Sequence, residues 1–492
     1  MSNLSDLLPA GAGGKQVNFV ASGTIGNGVT VGLKTDGQVT EVSASSSTVG
    51  SETQVLAAYA NASPRISVTT GSQAVAFVDN ASSGDAYVLT GSGSSITKSA
   101  SGYQYSSALV YSISSCYDSA NNKVVVAWMN FSNPTRAQWI RVGTVSGTGA
   151  SASISWGTAV NFANPTTATG NNEMIYDPDT GNVCIVYYNN TTYLTATCGT
   201  VSGTSITMGT PVVLASILVA YSGLVYDPSA DRVVFTYEKN SATFNSLVGQ
   251  MSGSGSTATV TLGAEQTILS SDVYDNHPVY DPDNAKVCVA YIPNSTDALD
   301  VVVGTVNGAA NSVTWGTPAT VQANVNDLAP TPNSMRATYD ENINKMVVVW
   351  RQNAAPYYSY MQGVTITGTT PSAGPNTVIN SANSQVQDIE YNSTLQLSYC
   401  IRFNSALSTI PSLLLAPVST NYTSFIGISD AAISSAASGS VTIKGGISSN
   451  VTSLTANLTY YVQPDGTLST TSSTVLAGRA LSSTSINLDY TT

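Results

Sequence analysis

Short apolar runs alternate with turn residues along almost the whole chain, and one arrangement of the two recurs. A Tyr-Asp turn leading into an apolar run reads CYDSANNKVVVAW, IYDPDTGNVCIVY, VYDPSADRVVFTY, VYDPDNAKVCVAY and TYDENINKMVVVW. A weaker copy is IEYNSTLQLSYC, and a diverged earlier one is VTTGSQAVAFVD. From Trp128 the runs end at Tyr187, Tyr237, Tyr291, Trp350 and Cys400, in steps of 50 to 59 residues. Within one repeat, SALVYSISSCYD, KVVVAW, WIRVGTVSG and SISWGTAVNF predict four strands. Four short antiparallel strands at this period match a β-propeller blade. A single such sheet cannot cover both of its faces, whereas neighbours arranged about an axis can. The pattern predicts an all-β, seven-bladed propeller over residues 51–418, with six blades as the fallback. An elongated β-solenoid is the rival, although its coils are shorter than these repeats.

The flanks follow another pattern. VTVGLKTDGQVTEV and LTYYVQPDGTLSTT each place an Asp-Gly pair between alternating runs, at Asp36-Gly37 and Asp465-Gly466. Asp-Gly in that setting is a strong hairpin signal. Gly-rich strands follow in FIGISDAAIS and VLAGRALSS. This predicts a duplicated small β-barrel-like domain whose first copy is split, residues 17–50 pairing with 419–492 around the inserted propeller. Residues 1–16 are expected to form a docking peptide and hinge. Leu4, Leu7 and Leu8 share one side of a single helical turn there, ahead of the hinge AGAGG. So short a segment folds only on a partner.

Composition narrows the function. Of 492 residues only 9% are charged and 42% are hydrophobic, against roughly 25% charged in typical soluble domains. Ser, Thr, Asn and Gly suit strands and turns rather than long helices. A net charge of −12 with sixteen Lys and Arg argues against nucleic acid as a partner. There is no apolar stretch near the roughly 20 residues of a membrane span, and no membrane insertion is expected. The N-terminal segment MSNLSDLLPAGAGGKQ lacks the basic and apolar regions of a secretory signal. Five cysteines give no disulfide framework. Cys184 and Cys198 flank a possible hairpin, but Cys184 and Cys288 stand where other repeats have Val125, Val234 and Val347, which marks them as small core residues.

The leader SNLSDLLPAGAGGKQVNFVASGTI and the tail FIGISDAAISSAASGSVTIKGGIS, YYVQPDGTLSTT and AGRALSSTSINLD resemble segments of virion structural proteins of tailed bacteriophages, marine and cyanobacterial phages above all. The duplicated hairpin unit is also similar to small β-barrel proteins that decorate phage capsids. The resemblance covers roughly 120 residues at the two ends and says little about the propeller. It implies a virion component assembled in the host cytoplasm and exposed on the particle, with other virion proteins of the tail or capsid as partners.

Candidate chemistry is sparse. The one histidine, His277 in SDVYDNHPVYD, is expected in an inter-blade loop. A Ser-His-Asp triad would need it, but no nucleophile elbow accompanies it. Neither zinc ligation nor a phosphate-binding loop has its residues, and no cofactor is expected. Asp177, Asp179 and Gly181 resemble the start of a calcium loop, but the twelfth position is Tyr188, and turn chemistry accounts for the same residues. A glycosidase needs two carboxylates. The candidates are Glu173, Glu238, Asp272, Asp275, Asp297, Asp300, Asp327 and Glu390, none in a distinguishing context.

Binding has more support. Loops between second and third strands, and from a fourth strand to the next blade, share one face. They carry Arg136, Trp139, Phe244, Tyr274, His277, Arg351, Tyr357 and Tyr358. Aromatic faces and guanidinium groups suit sugars and protein hot spots. The expectation is a non-enzymatic tail fibre or appendage, homo-oligomeric, that presents this face to a host-surface receptor or glycan. A capsid decoration or tail-associated protein and a propeller glycosidase are the alternatives.

Overall fold

The computed structural model describes residues 15–34, 36–45, 47–57, 64–130, 136–165, 172–189, 193–216, 219–323, 325, 335–352, 357–381, 384–404, 409–417, 419–420, 424–463, 466–473 and 475–489. The docking leucines Leu4, Leu7 and Leu8, and the carboxylate candidate Asp327, lie outside these residues. Chain contacts separate two compact units, residues 47–417 and residues 1–46 with 418–492. Among the described residues no helix is long and apolar enough to cross a membrane.

Within residues 47–417 the described residues form seven antiparallel sheets. Their innermost strands are Arg65–Val68, Val110–Asp118, Glu173–Asp177, Val219–Asp227, Val273–Asp281, Met335–Asp340 and Ser384–Asn392. Each neighbours the next, and Ser384–Asn392 returns to Arg65–Val68, so the sheets close into the ring of a β-propeller. The seventh sheet draws on both ends of the unit. Ser384–Asn392, Leu397–Asn404 and Ile410–Ala416 supply three strands, and Thr48–Val49 with Thr53–Leu56 supply its outer edge. Glu52, between those two short strands, forms an ion pair with fully buried Arg402.

The second strands explain the apolar runs. In Lys123–Asn130 every residue from Val124 to Met129 is buried, because sheets cover both faces. One shared core joins Val75, Phe77 and Val88 of the first sheet to Val124, Val126 and Trp128 of the second. Outer strands break at a glycine. Gly157 separates Ser153–Trp156 from Val160–Ala163, and a Cβ there would lie 1.8 Å from the Thr204 carbonyl oxygen of the next sheet. Gly209 and Gly263 meet Ala258 and Asn311 in the same way, so close packing between sheets demands glycine there.

The Tyr-Asp turn does two jobs. Asp281 Oδ1 accepts the backbone N–H groups of Asp283 and Asn284 at 3.0 and 3.1 Å. Asp118, Asp177, Asp227 and Asp340 cap their turns likewise. The tyrosine hydroxyl reaches the preceding sheet's turn: Tyr226 donates to Asp179 at 2.6 Å, Tyr339 donates to Asp283 at 2.8 Å, and Tyr280 bonds Ser229. One dipeptide therefore ends a strand and clasps two sheets together. Asp177, Asp179 and Asp231 approach one another, with the Tyr226 hydroxyl donating to Asp179 and lying 3.1 Å from Asp231.

All five cysteines are buried free thiols. Cys184 stands opposite Cys198 as Val125 stands opposite Val142, at a core position of the repeat.

The smaller unit holds two five-stranded sheets of matching order. In the first, Gln16–Val20, Ser438–Ile443, Phe425–Ser429, Thr30–Leu33 and Val39–Glu41 lie side by side; in the second, Ile447–Ser448, Ile486–Leu488, Leu476–Ala480, Thr459–Val462 and Leu468–Ser469 do. An isolated parallel bridge from Ala21 to Val39 links the edges of the first. Gly37 turns its hairpin at φ +79°, and Gly466 turns the matching one at φ +83°.

Candidate functional site: the propeller channel

The inner strands place one residue from each sheet at every level of the channel. Tyr117, Tyr176, Tyr226, Tyr280, Tyr339 and Tyr391 share a register position, with Val68 in the first sheet. Three residues earlier on the same strands stand Arg65, Ser114, Glu173, Gly223, His277, Arg336 and Asp388. A half-open cavity of about 630 Å³ is walled by the six tyrosines and reaches down to Arg65, Glu173, His277 and Asp388.

The charged belt is internally matched. Arg65 Nη2 lies 3.1 Å from Glu173 Oε1, and Arg336 Nη2 lies 3.8 Å from the same oxygen. Arg336 Nη1 is 3.7 Å from Asp275 Oδ1. Both guanidinium groups are buried, and removing either partner would strand a charge. The carboxylates have a second task. Inner strands lack a ladder partner on the channel side, so their N–H groups need acceptors. Asp388 Oδ2 accepts from Ile66 N–H at 2.9 Å, Glu390 Oε2 from Val68 N–H at 2.7 Å, and Asp275 Oδ2 from Met335 N–H at 3.2 Å. Side chains thus replace the missing ladder between sheets.

Burial sets the protonation states. It pushes the Asp275 carboxyl up to about 6 against the pull of Arg336, and Asp388 is raised for the same reason. Burial pushes Glu390 up to about 8 against the Val68 N–H bond, with the charge of Asp388 acting in the same direction as burial. Burial, reinforced by Arg336 and Arg65, holds His277 well below the usual histidine range, so its ring is neutral. Its Nδ1 is buried with no hydrogen-bond partner. The floor thus combines fixed ion pairs, a protonatable carboxyl and a neutral imidazole under an aromatic wall. It can hold a polar ligand by hydrogen bonds and ring contacts.

The expected loop face fares unevenly. His277 is not in a loop: it lies on the inner strand Val273–Asp281 and lines the channel. The following Pro278 is tolerated because an inner strand has a free edge. Phe244 is fully buried, packed at 5.4 Å against Tyr291, and cannot meet a receptor. Arg351 is buried at the end of Lys345–Arg351, its guanidinium 5.7 Å from the Tyr357 ring. Trp139 stands opposite Trp128 within a strand and packs on the core, and Tyr274 is a partly buried residue of Val273–Asp281. Tyr357 and Tyr358 are half-buried, as is Arg136, whose backbone N–H donates to Pro165. The face therefore keeps Tyr357 beside Arg351, with Tyr358 and Arg136 half-buried. Of the carboxylates singled out from sequence, Glu173 and Glu390 line the cavity and Asp275 backs it; Glu238, Asp272, Asp297 and Asp300 do not line it. The ring tyrosines are those of the recurring Tyr-Asp turn and its weaker copy, legible as a repeat but not as a cavity wall, while Arg65, Arg336 and Asp388 carried no signal as a group.

No protein-family model matches the chain, and no curated protein does. Solved structures do. The periplasmic gluconolactonase PpgL of Pseudomonas aeruginosa is similar at 10% identity and a TM-score of 0.48, over 75% of this chain and 97% of its own. The Aleuria aurantia lectin, solved with α-methyl-L-fucoside, is similar at 12% identity and a TM-score of 0.39, over 65% and 96%. The β-propeller domain of Cps50 from Myceliophteria thermophila is similar at 9% identity and a TM-score of 0.38, over 66% and 92%. The likeness concerns the fold. Its members include an enzyme and a lectin, and it assigns neither role here.

Proposed function

We propose that the protein is a non-enzymatic bacteriophage virion component that binds host-surface glycan in the propeller channel. The virion assignment rests on the resemblance of the terminal segments to phage structural proteins. The glycan assignment rests on one observation, the tyrosine-walled cavity over a hydrogen-bonding floor. Sugar rings stack on aromatic faces and their hydroxyls pair with fixed carboxylates. The terminal unit docks to tail or capsid partners, and many copies on one particle turn weak contacts into firm attachment. Such a protein assembles in the host cytoplasm and acts on the particle surface.

A second reading, a glycosidase, is favoured by Glu390, a carboxyl that keeps its proton near neutral pH beside other carboxylates. One assay separates the two. Purified protein should be retained on host envelopes without releasing reducing sugar, and Tyr280→Ala with Tyr339→Ala should weaken retention on the order of tenfold. Unchanged retention by that double variant refutes the channel as the site, and sugar release transfers the role to the second reading.

A further inference from the structure

We propose that the channel cavity selects a cationic ligand, the free amino group of an amino-sugar residue, over neutral or acidic sugars. This rests on the reading of the propeller as a glycan-binding module and names the class of glycan. Glu173, Glu341, Asp388 and Glu390 line the cavity, against Arg65 as the one lining cation among the described residues. With Glu390 protonated, Glu173, Glu341 and Asp388, with Asp275 behind them, still outnumber Arg65 and Arg336. Arg65 is already engaged, with Glu173 at 3.1 Å and with the Gln387 carbonyl at 3.3 Å. An arriving carboxylate or sulfate would therefore meet net negative charge and a committed guanidinium. An ammonium group would meet the reverse.

Two independent features point the same way. The hydroxyls of Tyr226 and Tyr339 are tied to carboxylates of the preceding turn, and that of Tyr280 to Ser229. What such tyrosines offer the cavity is the ring, whose negative face attracts cations. His277 lines the cavity, and its Nδ1 is buried without a hydrogen-bond partner. Glu390 adds to this: burial pushes its carboxyl up to about 8, so a cation brought beside it would draw off its proton. The cavity's volume of about 630 Å³ suits one or two sugar residues at a chain end.

The test is calorimetric titration of the full chain with a β-1,4-linked glucosamine tetramer and with its N-acetylated counterpart. The free-amino tetramer is expected to bind on the order of tenfold more tightly. Glu390→Gln, which keeps an acceptor for the Val68 N–H, should shrink that preference, and an undiminished preference in a folded variant overturns the inference. The comparison on the unsubstituted chain decides the matter even if the variant misfolds. Equal or reversed affinities overturn the inference while glycan binding stands. Failure of both tetramers to bind also overturns it, and if the protein is then not retained on host envelopes the underlying reading falls as well.

Discussion

At the scale of single residues, the channel combines groups that would be costly alone. Arg336 is tolerated because Glu173 and Asp275 flank it, and Asp388 because it accepts a backbone N–H beside two arginines. Glu390 has the backbone bond and, among the described residues, no cation that offsets its burial, which raises its carboxyl from the ordinary 4.5 to about 8. The unfolded chain therefore gives up this proton first. Below about 4.5 the group costs nothing; as pH rises toward about 8 its contribution to stability is lost. Asp275 and Asp340, both raised to about 6, share the lower part of that window. Glu390 should dominate above about 6. Denaturant unfolding across that upper range should show stability falling with pH, and a flatter slope in Glu390→Gln. Parallel slopes would mean that Glu390 ionises freely in the native protein.

At the scale of elements, what could be read from the sequence was what the repeats share. Every sheet needs the same turn cap, clasp and buried second strand, so Tyr-Asp and the following apolar run recur visibly. The charged level of the channel does the opposite. Arg65, Ser114, Glu173, Gly223, His277, Arg336 and Asp388 occupy one register with six residue types among seven positions, because a belt of charges must compensate around the ring. Comparing repeats makes that level look like noise. His277 before Pro278 has the sequence character of a loop, and only the free edge of an inner strand reconciles the proline with a strand. The outer edge of the seventh sheet was equally hidden, since its partner lies at the far end of the unit. Thr53–Leu56 pairs with Ile410–Ala416, and Val55 is buried against Ile66, Tyr399 and Leu414. Val55→Asp would place an unpaired charge in that seam. It should lower stability by roughly 3 kcal/mol or more in denaturant unfolding. An unchanged midpoint would show that these short strands do not lock the ring.

At the scale of the whole molecule, a ring of sheets concentrates side chains from seven separate parts of the chain into one axial cavity. Receptor contact on the loop face would use Tyr357, Tyr358 and Arg136; contact in the channel uses the tyrosine ring and the charged belt. The measurement that separates them most directly is a crystal structure of the protein with a bound host-envelope glycan fragment. The sugar should lie inside the ring formed by Tyr117, Tyr176, Tyr226, Tyr280, Tyr339 and Tyr391, within hydrogen-bond reach of Glu390 or His277. A sugar seated against Tyr357 and Tyr358, with the channel left to solvent, would contradict the account.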